Sequence, residues 1–165
     1  MAIADALLME MEQEAKTTLR VLERVPENKL AWKPHAKSFS LGQLALHTAA
    51  SQGMVASAAA LDTFEVPKFQ QSEARSRKEI LDAFAEGQAN ARKTIGGMDD
   101  ARLMAAWTMS NNGKAVMSMP RIAFVRSIMM NHLYHHRGQL SVYLRLLDVP
   151  VPSIYGPSAD ENPFG

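Results

Sequence analysis

Apolar residues recur at spacings of three and four along four stretches of this chain, the period at which side chains share one face of an α-helix. Between residues 3 and 24 the stripe runs through Leu8, Met11, Ala15, Leu19 and Leu22, which predicts a first helix. Pro26 would end it, and an extended loop is expected through Trp32, Pro34 and His35. Ser40-Leu41-Gly42-Gln43 has the makings of a capping box, in which the Ser hydroxyl and the Gln amide satisfy exposed backbone donors reciprocally. Phe39 and Leu44 stand at the two positions of a hydrophobic staple around it, so a second helix is predicted through His47 to about Ala60, with Pro67 in the next loop. Ser76-Arg77-Lys78-Glu79 opens a third helix by the same logic. Ile80, Phe84, Gln88, Ala91 and Ile95 trace its face, and Gly96-Gly97 stops it.

The pattern changes over 104–119. Asn112-Gly113 is a strong two-residue turn signal between Trp107 and Met109 on one side and Val116 and Met117 on the other, so a short β-hairpin or an ordered loop is expected. Pro120 then suits the first turn of a last helix, where its missing N–H costs nothing; this helix should run to about Asp148 and stop before Pro150. The remaining 149–165 is rich in Pro, Gly and Ser but carries Ile154, Tyr155 and Phe164, and is expected to fold back as a packed tail. Four apolar stripes are most simply buried against one another, so the predicted fold is all-α, a single domain over 1–165 built as a four-helix bundle of the up-down-down-up type, with the hairpin or loop inserted before the last helix.

Composition narrows the chemistry. The chain is 47% hydrophobic with a formal net charge of +1 and no basic run, so no electrostatic footprint for nucleic acid is present. Asp5 and Glu10 interrupt the apolar N-terminal stretch, and nothing approaches the apolar length of a membrane span, so the expectation is a soluble cytoplasmic protein with no membrane partner. The 11 methionines are scattered, as at Met9, Met54, Met98 and Met129, and read as adaptable packing rather than a copper site. There are no cysteines. That removes thiolate nucleophiles and Cys-based zinc sites, leaving His and carboxylate as the metal ligands available.

In the last helix Val125, Met129, His132, His136, Gln139 or Leu140, and Tyr143 fall on one stripe. His132 and His136 therefore project from one face about a turn apart, close enough to share an ion, although two core histidines bonded to their neighbours would show the same spacing. Position 133 is Leu, so the helix-borne Glu that serves zinc proteases as general base is missing. His47, one turn after Gln43, is placed on a neighbouring helix that can bring a third imidazole to the pair, and three neutral imidazoles with an open position are the donor set of a catalytic zinc. Taken alone, His47 reads more readily as a satisfied core histidine than as a ligand. His35, in the Pro-flanked loop, and His135, about 100° round the helix from His136, are weaker candidates.

Ser40-Leu41-Gly42-Gln43-Leu44-Ala45-Leu46-His47, His132-Leu133-Tyr134-His135-His136-Arg137-Gly138-Gln139-Leu140 with Tyr143-Leu144-Arg145, and the ending from Val151 to Glu161 together resemble the DinB-like family of metal-binding four-helix bundles. The resemblance covers nearly the whole chain. It implies that His47, His132 and His136 hold one divalent ion, and that the protein is a homodimer; the Ala- and Met-rich surface from Met54 to Ala60 would offer a flat contact. Three imidazoles suit zinc, nickel, copper or iron, with zinc and nickel first. The family includes transferases and isomerases that use low-molecular-weight bacterial thiols, besides many members with no known reaction.

Three functions fit these residues. The first is a metal-dependent enzyme that transfers a low-molecular-weight thiol, as co-substrate, to an electrophilic small molecule; an ion that acidifies the thiol makes a protein cysteine unnecessary. The second is a hydrolase in which the ion activates water. The third is a non-catalytic metal-binding protein of stress response. Gln43 and Gln139, each near a ligand histidine, are candidates to orient an imidazole or simply to cap a polar pocket. Arg137 is a candidate to hold an anionic substrate group or to form a surface ion pair.

Overall fold

The computed structural model describes residues 1–66, 68 and 70–165; Pro67, expected in the loop after the second helix, lies outside the described residues. Among them the chain forms α1 (Ile3–Leu22), α2 (Leu41–Ala60), β1 (Thr63–Glu65), α3 (Arg77–Gly96), a short α4 (Asp100–Met104), β2 (Ala106–Asn111), β3 (Lys114–Pro120), α5 (Arg121–Phe124), a wide π-type turn over Val125–Met130, and α6 (Asn131–Leu146). α2 packs along α3, and both α1 and α6 lie against this pair.

The caps form where the sequence places them. Ser40 Oγ accepts from the Gln43 amide at 3.0 Å, and Gln43 Oε1 accepts from the Ser40 amide at 2.9 Å, closing the start of α2 in both directions. At α3, Ser76 Oγ accepts from the Glu79 amide, whereas the Glu79 carboxylate reaches one residue further back, to the Arg75 amide. α2 and α3 approach so closely that a Cβ on Gly53 would stand 2.6 Å from the Gly87 Cα. Glycine at both contact points is what lets the two backbones touch.

The all-α expectation needs correcting, because the mostly helical fold carries a three-stranded sheet. β2 and β3 are an antiparallel hairpin closed by Asn112 and Gly113, both at positive φ (50° and 74°), the backbone a tight hairpin turn of this kind requires. β1 lies between α2 and α3 and pairs parallel to β2, Phe64 opposite Met109. Three residues are too short to show a period of two, so β1 exists because β2 offers it an edge.

Two helical faces are also rotated from the expected stripes. In α1 the buried positions are Ala4, Leu7, Met11, Glu14, Thr18, Val21 and Leu22, while Leu19 reaches solvent. Glu14 and Thr18 are buried because Arg137 is buried opposite them. In α6 the buried positions are Leu133, Arg137, Leu140 and Leu144, one place on from the histidine stripe. The last helix was expected to be continuous; instead the π turn inserts extra backbone just before Asn131 and shifts the register of all that follows. The surface from Met54 to Ala60 is not an open apolar face, since Ala56, Ala58 and Ala59 are spent within the chain.

Residues after α6 lie across the helices. Tyr155 donates to Glu14 at 2.9 Å, Arg20 pairs with Glu161 at 2.5 Å, and Arg145 pairs with Asp160. Arg121, fully buried, closes the other end of α2: its guanidinium donates to the carbonyls of Ala59 (2.7 Å) and Leu61 (2.9 Å) and to Asp62 (2.7 Å). Those carbonyls are the ones a helix C-terminus leaves unpaired. Among the described residues no helix is long and apolar enough to cross a membrane.

Candidate metal centre

His47 projects from the second turn of α2, fixed in register by the Ser40–Gln43 cap, and is buried. His132 and His136 open α6 immediately after the π turn and sit, half-buried, at the edge of its core face. The register shift places both rings toward α2 rather than in the middle of the core. His132 Nε2 lies 3.3 Å from His47 Nε2 and 2.9 Å from His136 Nε2. One ligand atom from each of the three lies within 4.8 Å of the others, and no carboxylate among the described residues joins the group.

This spacing suits a small ion. Two nitrogens bound at ~2.0–2.1 Å to a tetrahedral centre stand roughly 3.3–3.4 Å apart, so the cluster is at that separation for one pair and slightly contracted for the other. The protonation state fits as well, since imidazole binds metal only when neutral. Burial, then the His136 and His132 rings, lowers the His47 pKa to about 4. Burial, then the His136 and His135 rings, lowers His132 to about 4. His136 is lowered too, chiefly by burial, against the opposing effect of a hydrogen bond to Gln139. That bond is 2.7 Å long, from His136 Nδ1 to Gln139 Oε1. An amide oxygen can only accept, so the proton is held on Nδ1 and the Nε2 lone pair is turned to the other two rings. His132 Nδ1 is buried with no hydrogen-bond partner.

The other candidates are placed elsewhere. The Gln43 side chain is occupied in the α2 cap. Arg137 is fully buried and far from a surface ion pair: Nη2 lies 2.7 Å from Glu14 Oε2 and 2.5 Å from the Tyr155 hydroxyl, and Nη1 donates to Thr18 Oγ1 at 3.1 Å. Its guanidinium ties α1 and the chain end to α6. His35 lies in an exposed turn where Nδ1 accepts from the Lys37 amide, and His135 stacks edge-on against His136 from the solvent side. Residues that sequence reasoning passed over come from the sheet. Phe64 and Met109, paired across β1 and β2, line a cleft whose wall includes His47 and His132. Only the i, i+2 relation of Trp107 and Met109 on one strand face hinted at this.

A mostly helical domain in which two helices bring three imidazoles together defines a donor set that could hold a divalent ion. The chain belongs to the DinB family, whose profile matches residues 1–162. It is 28% identical over 161 residues to the uncharacterized protein YrdA of Bacillus subtilis strain 168, covering 95% of this chain and 90% of that one. Its fold is similar to the crystal structure of a DinB-like protein from Bacillus cereus ATCC 10987, with a TM-score of 0.73, 23% identity, and coverage of 93% and 98% of the two chains. It is also similar to that of the DinB-like protein YjoA from Bacillus subtilis, with a TM-score of 0.67, 16% identity, and coverage of 87% and 92%.

Proposed function

We propose that His47, His132 and His136 hold one divalent ion, zinc or nickel, and that the protein transfers a low-molecular-weight thiol to an electrophilic small molecule. The observation that carries this reading is a cluster of three imidazoles which no carboxylate among the described residues joins, in a chain without cysteine. An ion held there would acidify a bound thiol, whose ordinary pKa of about 8.5 needs only a small shift to ionise near pH 7. Water, starting near 15.7, needs a far larger shift and gains more from a general base beside it. The chain's own residues do the rest. Gln139 fixes the tautomer and direction of His136, and burial keeps all three rings unprotonated so that they donate lone pairs. In the transfer, the thiol proton passes to solvent and the sulfur lone pair forms a bond to the electrophilic carbon. A carbon–halogen bond breaks with the halide taking its electron pair, or an epoxide C–O bond opens and its oxygen takes up a proton.

We read the four long helical stretches as an up-down-down-up bundle carrying the strands on one side, and the active form as a cytoplasmic homodimer, a reading supported by the family rather than by any surface of this chain. The experiment is metal analysis of protein purified without a metal-binding tag. It is followed by a panel of bacterial thiols against halogenated, epoxide and unsaturated acceptors, monitored for conjugates. One ion per chain and conjugates lost in His136→Ala are expected. Ester or amide hydrolysis in thiol-free buffer without any conjugate would put a hydrolase in its place, and tight metal binding without either reaction would leave a binding protein.

A further inference from the structure

A cleft of about 520 Å³ opens directly beside the imidazole cluster. His47 and His132 are part of its lining. Most of the remaining wall is apolar and comes from three separate parts of the fold: Val55 and Ala58 from α2, Phe64 and Met109 from the sheet, and Phe124 and Ile128 from the start of the last helix. Its polar lining is limited to the two histidines and the hydroxyls of Ser51 and Ser57; no Asp, Glu, Lys or Arg contributes among the described residues. Val55, Phe64, Met109 and Ile128 remain only partly buried although each packs against the core. Uncovered apolar side chains are unremarkable when scattered, but gathered in a concavity of this size they match the interior of a small-molecule pocket.

The wall is also held firmly. Trp107 is fully buried behind it, stacked on Phe124 with ring centroids 3.6 Å apart and donating from Nε1 to the Ala58 carbonyl at 3.0 Å. Those contacts bind the sheet to α2 and to the helix start, so the cleft is a preformed feature of the scaffold.

We propose that this cleft holds the apolar body of an uncharged electrophilic substrate and presents its reactive carbon to the point where His47 and His132 converge. The inference rests on the metal-dependent reading above and specifies its acceptor: an alkyl or aryl compound without ionised groups, because a charge placed among these side chains would lose its hydration with nothing to pair it.

Zinc-loaded full-length protein titrated calorimetrically with acetohydroxamate and octanohydroxamate tests this, since the shared head group binds zinc and only the longer chain can reach the cleft. Each buried methylene is worth roughly fourfold in affinity, so the octanoyl compound should bind at least tenfold more tightly than the acetyl one. Met109→Glu, which puts a charge in the wall, and Ile128→Trp, which fills the space, should each abolish that advantage. Acetohydroxamate affinity should stay within twofold of wild type in both variants. Acetohydroxamate bound with no chain-length gain in wild type would overturn the cleft proposal and leave the metal reading standing. Failure of both compounds to bind would overturn the metal reading and the inference with it. A gain kept in Ile128→Trp but lost in Met109→Glu together with a change from dimer to monomer would show the face to be a contact between two copies of the chain, and would also overturn the proposal.

Discussion

Replacing Arg137 with Met would remove the cation from the most buried ion pair among the described residues. The Arg137 side chain is 1% exposed and that of its partner Glu14 9%. The Glu14 carboxylate would keep its hydrogen bond from Tyr155 but lose the guanidinium at 2.7 Å, and Thr18 Oγ1 would lose its donor. Leaving a charge buried without its partner costs about 3–5 kcal/mol. For a domain of this size each kcal/mol lowers Tm by about 2–4 °C, so the drop should lie between roughly 6 and 20 °C by differential scanning calorimetry. The double variant Glu14→Leu/Arg137→Met removes both charges and substitutes apolar volume. It should recover most of the loss, because a buried pair exchanged for packed hydrophobes is near neutral or stabilising. Metal stoichiometry should be unchanged in both variants, since the guanidinium lies between α1 and Tyr155 rather than at the imidazoles. A Tm shift under about 2 °C for Arg137→Met, or a double variant no better than the single, would refute the assignment of Arg137 as a structural tie.

Chelation at pH 7.5 should lower the Tm of wild type but leave that of His132→Ala where it was; equal shifts would place the removed ion elsewhere. The metal-free protein should lose stability on acidification. The three histidines titrate near 6.5 when unfolded and are lowered on folding, to about 4 for His47 and His132, so the unfolded state takes up more protons as pH falls. Stability is therefore full above about pH 6.5 and lost toward pH 4, and a His47→Gln/His132→Gln/His136→Gln variant should show a shallower slope of Tm against pH across that window. Gly53→Ala drives a Cβ against the Gly87 Cα, and the overpacking cost of about 1–3 kcal/mol should exceed the roughly 1 kcal/mol a helix gains from Ala. Gly138→Ala, with open space around it in α6, should raise Tm instead. Light scattering at micromolar concentration should give the dimer mass; a monomer throughout would remove the proposed assembly.

The helices were legible because their ends carry local chemistry. Ser40 with Gln43, and Ser76 at the start of α3, mark starts that no tertiary contact is needed to explain. The hairpin was legible for the same reason, since Asn112-Gly113 names its own turn. The buried faces of α1 and α6 were less so. A stripe drawn through apolar residues alone passes over Glu14, Thr18 and Arg137, yet these are core positions. Each is polar by composition and buried only by virtue of the others, and that mutual dependence spans more than a hundred residues. Such a pair cannot be seen in one helix at a time.

The same distinction divides the candidate site. His132 and His136 could be recognised as a pair because both lie within the regular α6, where a spacing of four fixes their relation whatever the rest of the helix does. Their direction could not be, because it is set upstream by the π turn, where the i→i+4 ladder yields to a wider one without a proline or glycine to announce it. His47 joins them through the packing of α2 beside α6, which periodicity leaves open and the family motif supplies. The cleft lies at the far end of this scale: besides one face of α2, its walls come from a three-residue strand, a hairpin and the irregular turn, which come together only in the tertiary fold. The three candidate ligands thus sit on regular helices, but the direction of His132 and His136 is tied to the π turn that precedes them. The cleft joins one face of α2 to the strands and the π turn, so part of the surface that would choose a substrate depends on the irregular elements. Acceptor preference should therefore change under substitutions at Phe64 or Met109, on the strands, that leave metal affinity alone, and a coupled loss of both at either position would contradict a sheet wall separate from the imidazoles.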